Sequence, residues 1–198
     1  MNKFQEYRKK AGRLLTDPLV PLIKRLKLTP DIMTLIGLIL NLAAAVVIGF
    51  GHLLIGGVVF LFAGLFDLLD GALARHMDKV TKFGAFFDSV TDRVTEGALF
   101  LSFTFVTTVA VWPFSIAWQL VLIIAALIGS FLTSYIRARA EGLGFECTVG
   151  LLTRPERVII IALGLLFSQI FIALAIVVVL SFVTVGQRFV FVQRQAKK

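Results

Sequence analysis

Residues 32–50 read IMTLIGLILNLAAAVVIGF, a run without one charged side chain and with only Thr34 and Asn41 polar. At 1.5 Å per residue such a helix covers close to the roughly 30 Å of bilayer hydrocarbon. Further apolar runs occupy 53–74, 83–111, 116–136 and 154–191. The last is too long for one helix, and Ser168-Gln169 is the polar break near its middle. The pattern predicts an all-α integral membrane protein with six transmembrane helices, its membrane domain covering 31–195. Composition agrees: 58% of the 198 residues are hydrophobic and 16% charged, against about 45–50% and 25% in a soluble domain.

The net charge of +8 would suit nucleic acid if it were spread over the surface, but it is not. All twenty Lys and Arg fall in 3–27, 75–93, 137–157 and 188–198, and the loops around Gly51-His52, Pro113 and Ser168 carry no Lys, Arg, Asp or Glu. Six crossings put those four segments and both termini on one side. The positive-inside rule makes that side the cytoplasm, facing anionic membrane lipids and no nucleic acid. Within 1–30, Phe4, Tyr7, Ala11 and Leu14 recur at helical spacing among Arg8, Lys9, Lys10 and Arg13. That basic juxtamembrane segment is predicted to be an interfacial amphipathic helix. The one cysteine, Cys147, excludes an internal disulfide and, with no Cys/His cluster, a zinc site.

Residues 67–92 read DLLDGALARHMDKVTKFGAFFDSVTD. Asp67 and Asp70 are three apart and Asp88 and Asp92 four apart, so each pair shares one face of its helix. An Asp at a helix centre costs about 2.5–3.5 kcal/mol, so four left unpaired would cost on the order of 10 kcal/mol, lowered here by their place toward the cytoplasmic ends. The clustered carboxylates also repel one another. Salt bridges to Arg75 and Arg93 would relieve part of this. A divalent cation relieves both penalties, and carboxylate oxygens are the hard ligands that Mg²⁺ or Mn²⁺ prefers. Intramembrane acids mark a functional site. A cation transporter would also need acids, but near the bilayer midplane, whereas these lie at one end.

The spacing D-x2-D-G-x2-A-R-x8-G-x3-D-x3-D is met at Asp67, Asp70, Gly71, Ala74, Arg75, Gly84, Asp88 and Asp92. It resembles the signature of the CDP-alcohol phosphotransferases, membrane enzymes of phospholipid biosynthesis. The resemblance implies that Asp67, Asp70, Asp88 and Asp92 hold metal ions, Asp92 serving also as general base. It implies that Gly71 and Gly84 let the cytidine nucleotide approach and that Arg75 and Thr81 meet its diphosphate. Residues 29–34, TPDIMT, resemble the family's nucleotide contact at the start of helix one, through Asp31 (Asn in many members) and Thr34. The donor is then CDP-diacylglycerol or CDP-archaeol, CMP is the leaving group, and a homodimer is implied.

A second cluster lies outside that signature: Arg137, Arg139, Arg154, Arg157 and Arg188, each predicted at a cytoplasmic helix end. Arginine suits bidentate phosphate binding, and simple anchoring would be served equally well by Lys. The acceptor is therefore expected to be a phosphate ester, and a choline-like cation is disfavoured. Arg157 has an alternative, pairing with Glu156 or Glu141. The strings SYIRARAEGLG and RPER, with Gln187-Arg188, resemble the family branch that uses inositol phosphate, the phosphatidylinositol-phosphate and archaetidylinositol-phosphate synthases. Glycerol phosphate is the second candidate acceptor.

Overall fold

The structure, a computed structural model, describes residues 29–76, 81–106 and 115–197, with only the backbone for 70–72 and 74–76. The amphipathic helix expected within 1–30 lies outside these, save for the last two residues of that segment. Every regular element among the described residues is an α-helix. They are α1 (Pro30–Gly49), α2 (Leu53–His76), α3 (Lys82–Val106), α4 (Ile116–Gly142), α5 (Arg154–Leu166) and α6 (Ile170–Ala196).

Local signals set their ends. Thr29 caps α1 by accepting from the Ile32 amide at 3.4 Å, and Pro30 follows in the first turn, where its missing N–H costs nothing. The expected break inside 154–191 falls at Ser168, whose φ of 54° places it in the left-handed region between α5 and α6.

α1, α4 and α6 are long and apolar enough to cross a membrane. α2 has a shorter apolar stretch, Leu53–Leu69, and α3 carries Asp88, Asp92, Arg93 and Glu96. α5 has 13 residues, about 20 Å and short of a full crossing. The loop 143–153 explains this, because it runs back along α6. The Leu151 amide donates to Gln187 Oε1 at 3.2 Å and the Leu152 amide to Thr184 Oγ1 at 3.0 Å. Thr184 lies about three turns before the end of α6, so α5 starts well short of that end.

α1 packs on α2 and α3, α5 on α2 and α6, and α4 on α6 and α3. Small residues permit the close approaches. A Cβ on Gly57 would stand 2.8 Å from Leu165 Cβ, and one on Gly129 2.8 Å from Ser181 Cβ, the small-residue contact typical of membrane helices. Ile48, Phe100, Phe103, Leu165 and Leu174 fill the core. Leu35, Ile39, Val46, Leu101, Ile124 and Val179 face outward, while Asn41, Thr95, Ser130, Arg157 and Arg188 are buried. A soluble bundle would reverse that order; a bundle in lipid has no reason to.

Candidate active site

Four helices meet at the acidic residues. Asp67 on α2 reaches Gly37 of α1, where a Cβ would stand only 2.9 Å from Asp67 Oδ1. Asp92 lies on α3, with Asp88 one turn before it. Between them stands Arg154, the first residue of α5. Its Nη2 is 2.7 Å from Asp67 Oδ2 and its Nη1 2.7 Å from Asp92 Oδ1. The two carboxylates are 13% and 12% exposed and Arg154 25%, so one guanidinium bridges two acids from two helices at the rim of the interior and offsets only one of their charges. Arg93 adds a looser contact, 3.6 Å from Asp92 Oδ2. Asp70, Gly71 and Arg75 follow Asp67 along α2, and their side chains lie outside the described residues. No three His, Cys, Asp or Glu side chains among the described residues group closely enough to hold one metal ion.

A second ion pair lies one turn deeper on the same helices. Arg157 Nε is 2.8 Å from Glu96 Oε1, and Arg157 Nη1 donates to Thr133 Oγ1 at 2.9 Å and to the Ser130 carbonyl at 3.4 Å. Arg157 is 2% exposed and Glu96 10%. A cavity of about 20 Å³ adjoins them, lined among others by Asn41, Thr95, Glu96, Arg154 and Arg157, room for about one water. α3 thus presents Asp92 and Glu96 four apart, α5 presents Arg154 and Arg157 three apart, and the helices join as a two-rung ladder. The first turn of α5 is fixed as well, because Glu156 Oε2 accepts from the Thr153 amide at 2.8 Å and from its hydroxyl, the second half of a capping box.

The five arginines do not converge on one point. Arg154 sits on the carboxylates. Arg157, an expected phosphate ligand, is buried, and its partner is Glu96 rather than Glu156 or Glu141. Arg188 is also buried, at 3% exposure, its Nε donating to the Val149 carbonyl at 2.9 Å and its Nη1 to the Thr133 carbonyl. Thr133 therefore receives both inner arginines, one on its hydroxyl and one on its carbonyl. Arg137 is half exposed and pairs with Glu141 at 2.8 Å, and Arg139 is exposed in the last turn of α4. Glu96 was missed from sequence, although it continues Asp88 and Asp92 at the same four-residue step.

Three of the residues expected at the nucleotide, Asp31, Thr81 and Gly84, lie beside one another. Thr81 Oγ1 accepts from the Gly84 amide at 2.9 Å at the start of α3. A Cβ on Gly84 would stand 3.0 Å from Thr81 Oγ1 and 3.7 Å from Asp31 Oδ1. Asp31 of α1 and the first turn of α3 thus form one nook, in which only glycine leaves the backbone uncovered. Thr34 is buried one turn on, its hydroxyl donating to the Pro30 carbonyl at 3.2 Å.

Comparison with known proteins adds to this geometry. The family model described as CDP-alcohol phosphatidyltransferase matches residues 27–194. The phosphatidylinositol phosphate synthase of Mycobacteroides abscessus is 38% identical over 187 residues, spanning 88% of this chain and 81% of its own. The archaetidylinositol phosphate synthase of Methanothermobacter thermautotrophicus is 36% identical over 183 residues, spanning 89% of each. The crystal structure of Mycobacterium tuberculosis phosphatidylinositol phosphate synthase with CDP-DAG bound superposes with a TM-score of 0.77 at 32% identity, covering 91% of this chain and 94% of that one. The same enzyme in complex with manganese and citrate gives 0.78 at 32% identity, covering 90% and 88%.

Proposed function

The chain belongs to the CDP-alcohol phosphatidyltransferase family, and from that premise we propose that it transfers a phosphatidyl or archaetidyl group from a CDP-linked lipid to a hydroxyl of inositol phosphate, releasing CMP. The observation that carries the reading is the rim of α2, α3 and α5, where Asp67 and Asp92 hold one cationic group through two 2.7 Å contacts. The acceptor class follows from the two kinds of relative, which share inositol phosphate in their names and differ in the lipid.

The donor set suits a divalent ion. Two carboxylates from different helices already share one positive group, and Asp70 and Asp88 each stand one turn away on the same helices. Asp67, Asp70, Asp88 and Asp92 would hold Mg²⁺ or Mn²⁺, which when bound neutralises the pyrophosphate and stabilises CMP as it leaves. The chain's own groups do the rest. Gly71, Gly84, Thr81, Asp31 and Thr34 receive the nucleotide, and Arg75 pairs with its diphosphate. Asp92 accepts the proton of the attacking inositol hydroxyl. That oxygen bonds to the lipid-bearing phosphorus as the bond to CMP breaks, a reaction governed by positioning and charge neutralisation. Of the five arginines outside the aspartate signature, Arg154 is the one in contact with these acids and takes the acceptor's phosphate, with Arg137 and Arg139 outside it. Arg157 and Arg188 set the wall behind.

The same reading places 31–195 in the membrane with six crossings, the fifth made by the loop 143–153 together with the short α5, both termini and the site on the cytoplasmic side, residues 1–30 on the membrane surface, and the chain in a homodimer. Outward apolar side chains on α1, α3, α4 and α6 support burial in lipid. The test is CMP release by the purified protein from CDP-diacylglycerol, with inositol phosphate, inositol, glycerol phosphate and serine compared as acceptors. Release with inositol phosphate alone is expected, and preference for glycerol phosphate would overturn the acceptor assignment.

A further inference from the structure

Arg154 takes Oδ2 of Asp67 and Oδ1 of Asp92, both at 2.7 Å, and these are the carboxylates that the functional reading gives to a divalent ion. Mg²⁺ binds its oxygens at about 2.0–2.1 Å. A guanidinium bridging the same pair would then lie against the ion, two like charges on one pair of acids. The guanidinium uses one oxygen of each carboxylate, so an ion on the remaining oxygens would repel it at close range, and each weakens the other's hold on the pair. The surroundings decide which part yields. Arg157, three residues on, is anchored on Glu96, Thr133 and Ser130, and the Thr153–Glu156 capping box fixes the turn itself. The backbone at Arg154 is therefore pinned, and only its side chain, a quarter exposed against 2% for Arg157, is free to exchange. A guanidinium turned outward there presents its fork to a phosphate.

We propose that Arg154 is a tethered counter-ion which a divalent cation displaces from Asp67 and Asp92, and that the displaced guanidinium is what the acceptor's phosphate binds. Loading the metal site thus creates the acceptor site, and the inner rung Glu96–Arg157 is the fixed pivot about which this exchange occurs. The inference rests on the functional reading above, from which it takes the ion and the phosphate. By linkage, Mn²⁺ and inositol phosphate each tighten the other's binding by one common factor.

The experiment is Mn²⁺ binding to the purified full chain in detergent micelles, without CDP-lipid, read as loss of the free-ion EPR signal. Arg154→Gln is expected to bind Mn²⁺ roughly 10- to 100-fold more tightly than wild type, the scale of one lost charge-assisted contact. Its thermal midpoint should fall in EDTA and recover with Mn²⁺. Arg154→Lys keeps the charge but has no fork to bridge two carboxylates, so it should bind Mn²⁺ with intermediate affinity. Added inositol phosphate should tighten Mn²⁺ binding in wild type and do so far less in Arg154→Gln. Unchanged or weaker Mn²⁺ binding in Arg154→Gln overturns the proposal, since Arg154 would then support the ion. Wild-type affinity in Arg154→Lys overturns displacement in favour of a general field effect. Undiminished coupling in Arg154→Gln places the phosphate elsewhere and overturns the delivery step. Absence of Mn²⁺ binding in every variant, Arg154→Gln included, sinks the metal reading itself and this inference with it.

Discussion

Gly37→Ala separates the position of a carboxylate from the stability of the fold. The added Cβ would stand 2.9 Å from Asp67 Oδ1, 3.7 Å from Phe66 Cβ and 3.9 Å from the Ala63 carbonyl. Only the first contact is too close, and it is the far end of a side chain rather than backbone. Relaxing it to an ordinary carbon–oxygen contact of about 3.4 Å moves the carboxylate by about 0.5 Å. A 1 Å misplacement in an active site costs on the order of 10²-fold, so kcat/KM for CMP release should fall about tenfold. Stability should move the other way, because Ala is favoured over Gly inside a helix by about 1 kcal/mol. A thermal midpoint unchanged or raised by up to about 3 °C is expected. The assay is kcat/KM and thermal midpoint on the same detergent preparation. Near wild-type turnover in a stable variant would refute the placement of Asp67 in the catalytic cluster. A collapse of stability would refute the helix contact.

Asp67→Asn and Asp88→Asn should abolish CMP release while the protein still inserts and folds, checked by size-exclusion profile and turnover. Asp92→Asn should lower turnover by about 10²–10⁴-fold, the range of a lost general base, with CDP-lipid binding retained in a filter assay. Glu96→Gln strips the counter-charge from an arginine 2% exposed and should cost about 3–5 kcal/mol, whereas Glu96→Gln with Arg157→Met should recover most of it in a denaturation series. Gly150 has a φ of +135°, and its Cβ would stand 2.6 Å from Thr184 Cγ2. Gly150→Ala should therefore cost at least about 1–3 kcal/mol and speed hydrogen exchange at the Leu152 amide.

Helix order and breaks were legible because apolar runs and their interruptions are local properties. Ser168-Gln169 is the polar break near the middle of a long run, and the chain turns there. The short α5 was not legible, since nothing local says that the loop before it lies along α6 through Gln187 and Thr184. The same division holds in the site. Spacing within one helix pairs Asp88 with Asp92 and should have added Glu96. Spacing cannot say which arginine faces which acid across helices. Arg154, Arg157 and Arg188 look alike in sequence as basic residues at helix ends, yet one bridges two carboxylates, one closes a buried ion pair and one ties a loop to Thr133. Arg137 faces outward to Glu141, which a four-residue step already allowed.

The transfer to inositol phosphate is tested most directly by the phosphorus balance of the reaction. Purified protein, a divalent cation, CDP-diacylglycerol and inositol phosphate are incubated and followed by phosphorus NMR with mass spectrometry of the lipid. One CMP is expected for each new lipid, and in that lipid one phosphodiester and one phosphomonoester in equal amounts. Neither product should form with Asp67→Asn. CMP released without a matching lipid, or a lipid lacking the phosphomonoester, would contradict that transfer.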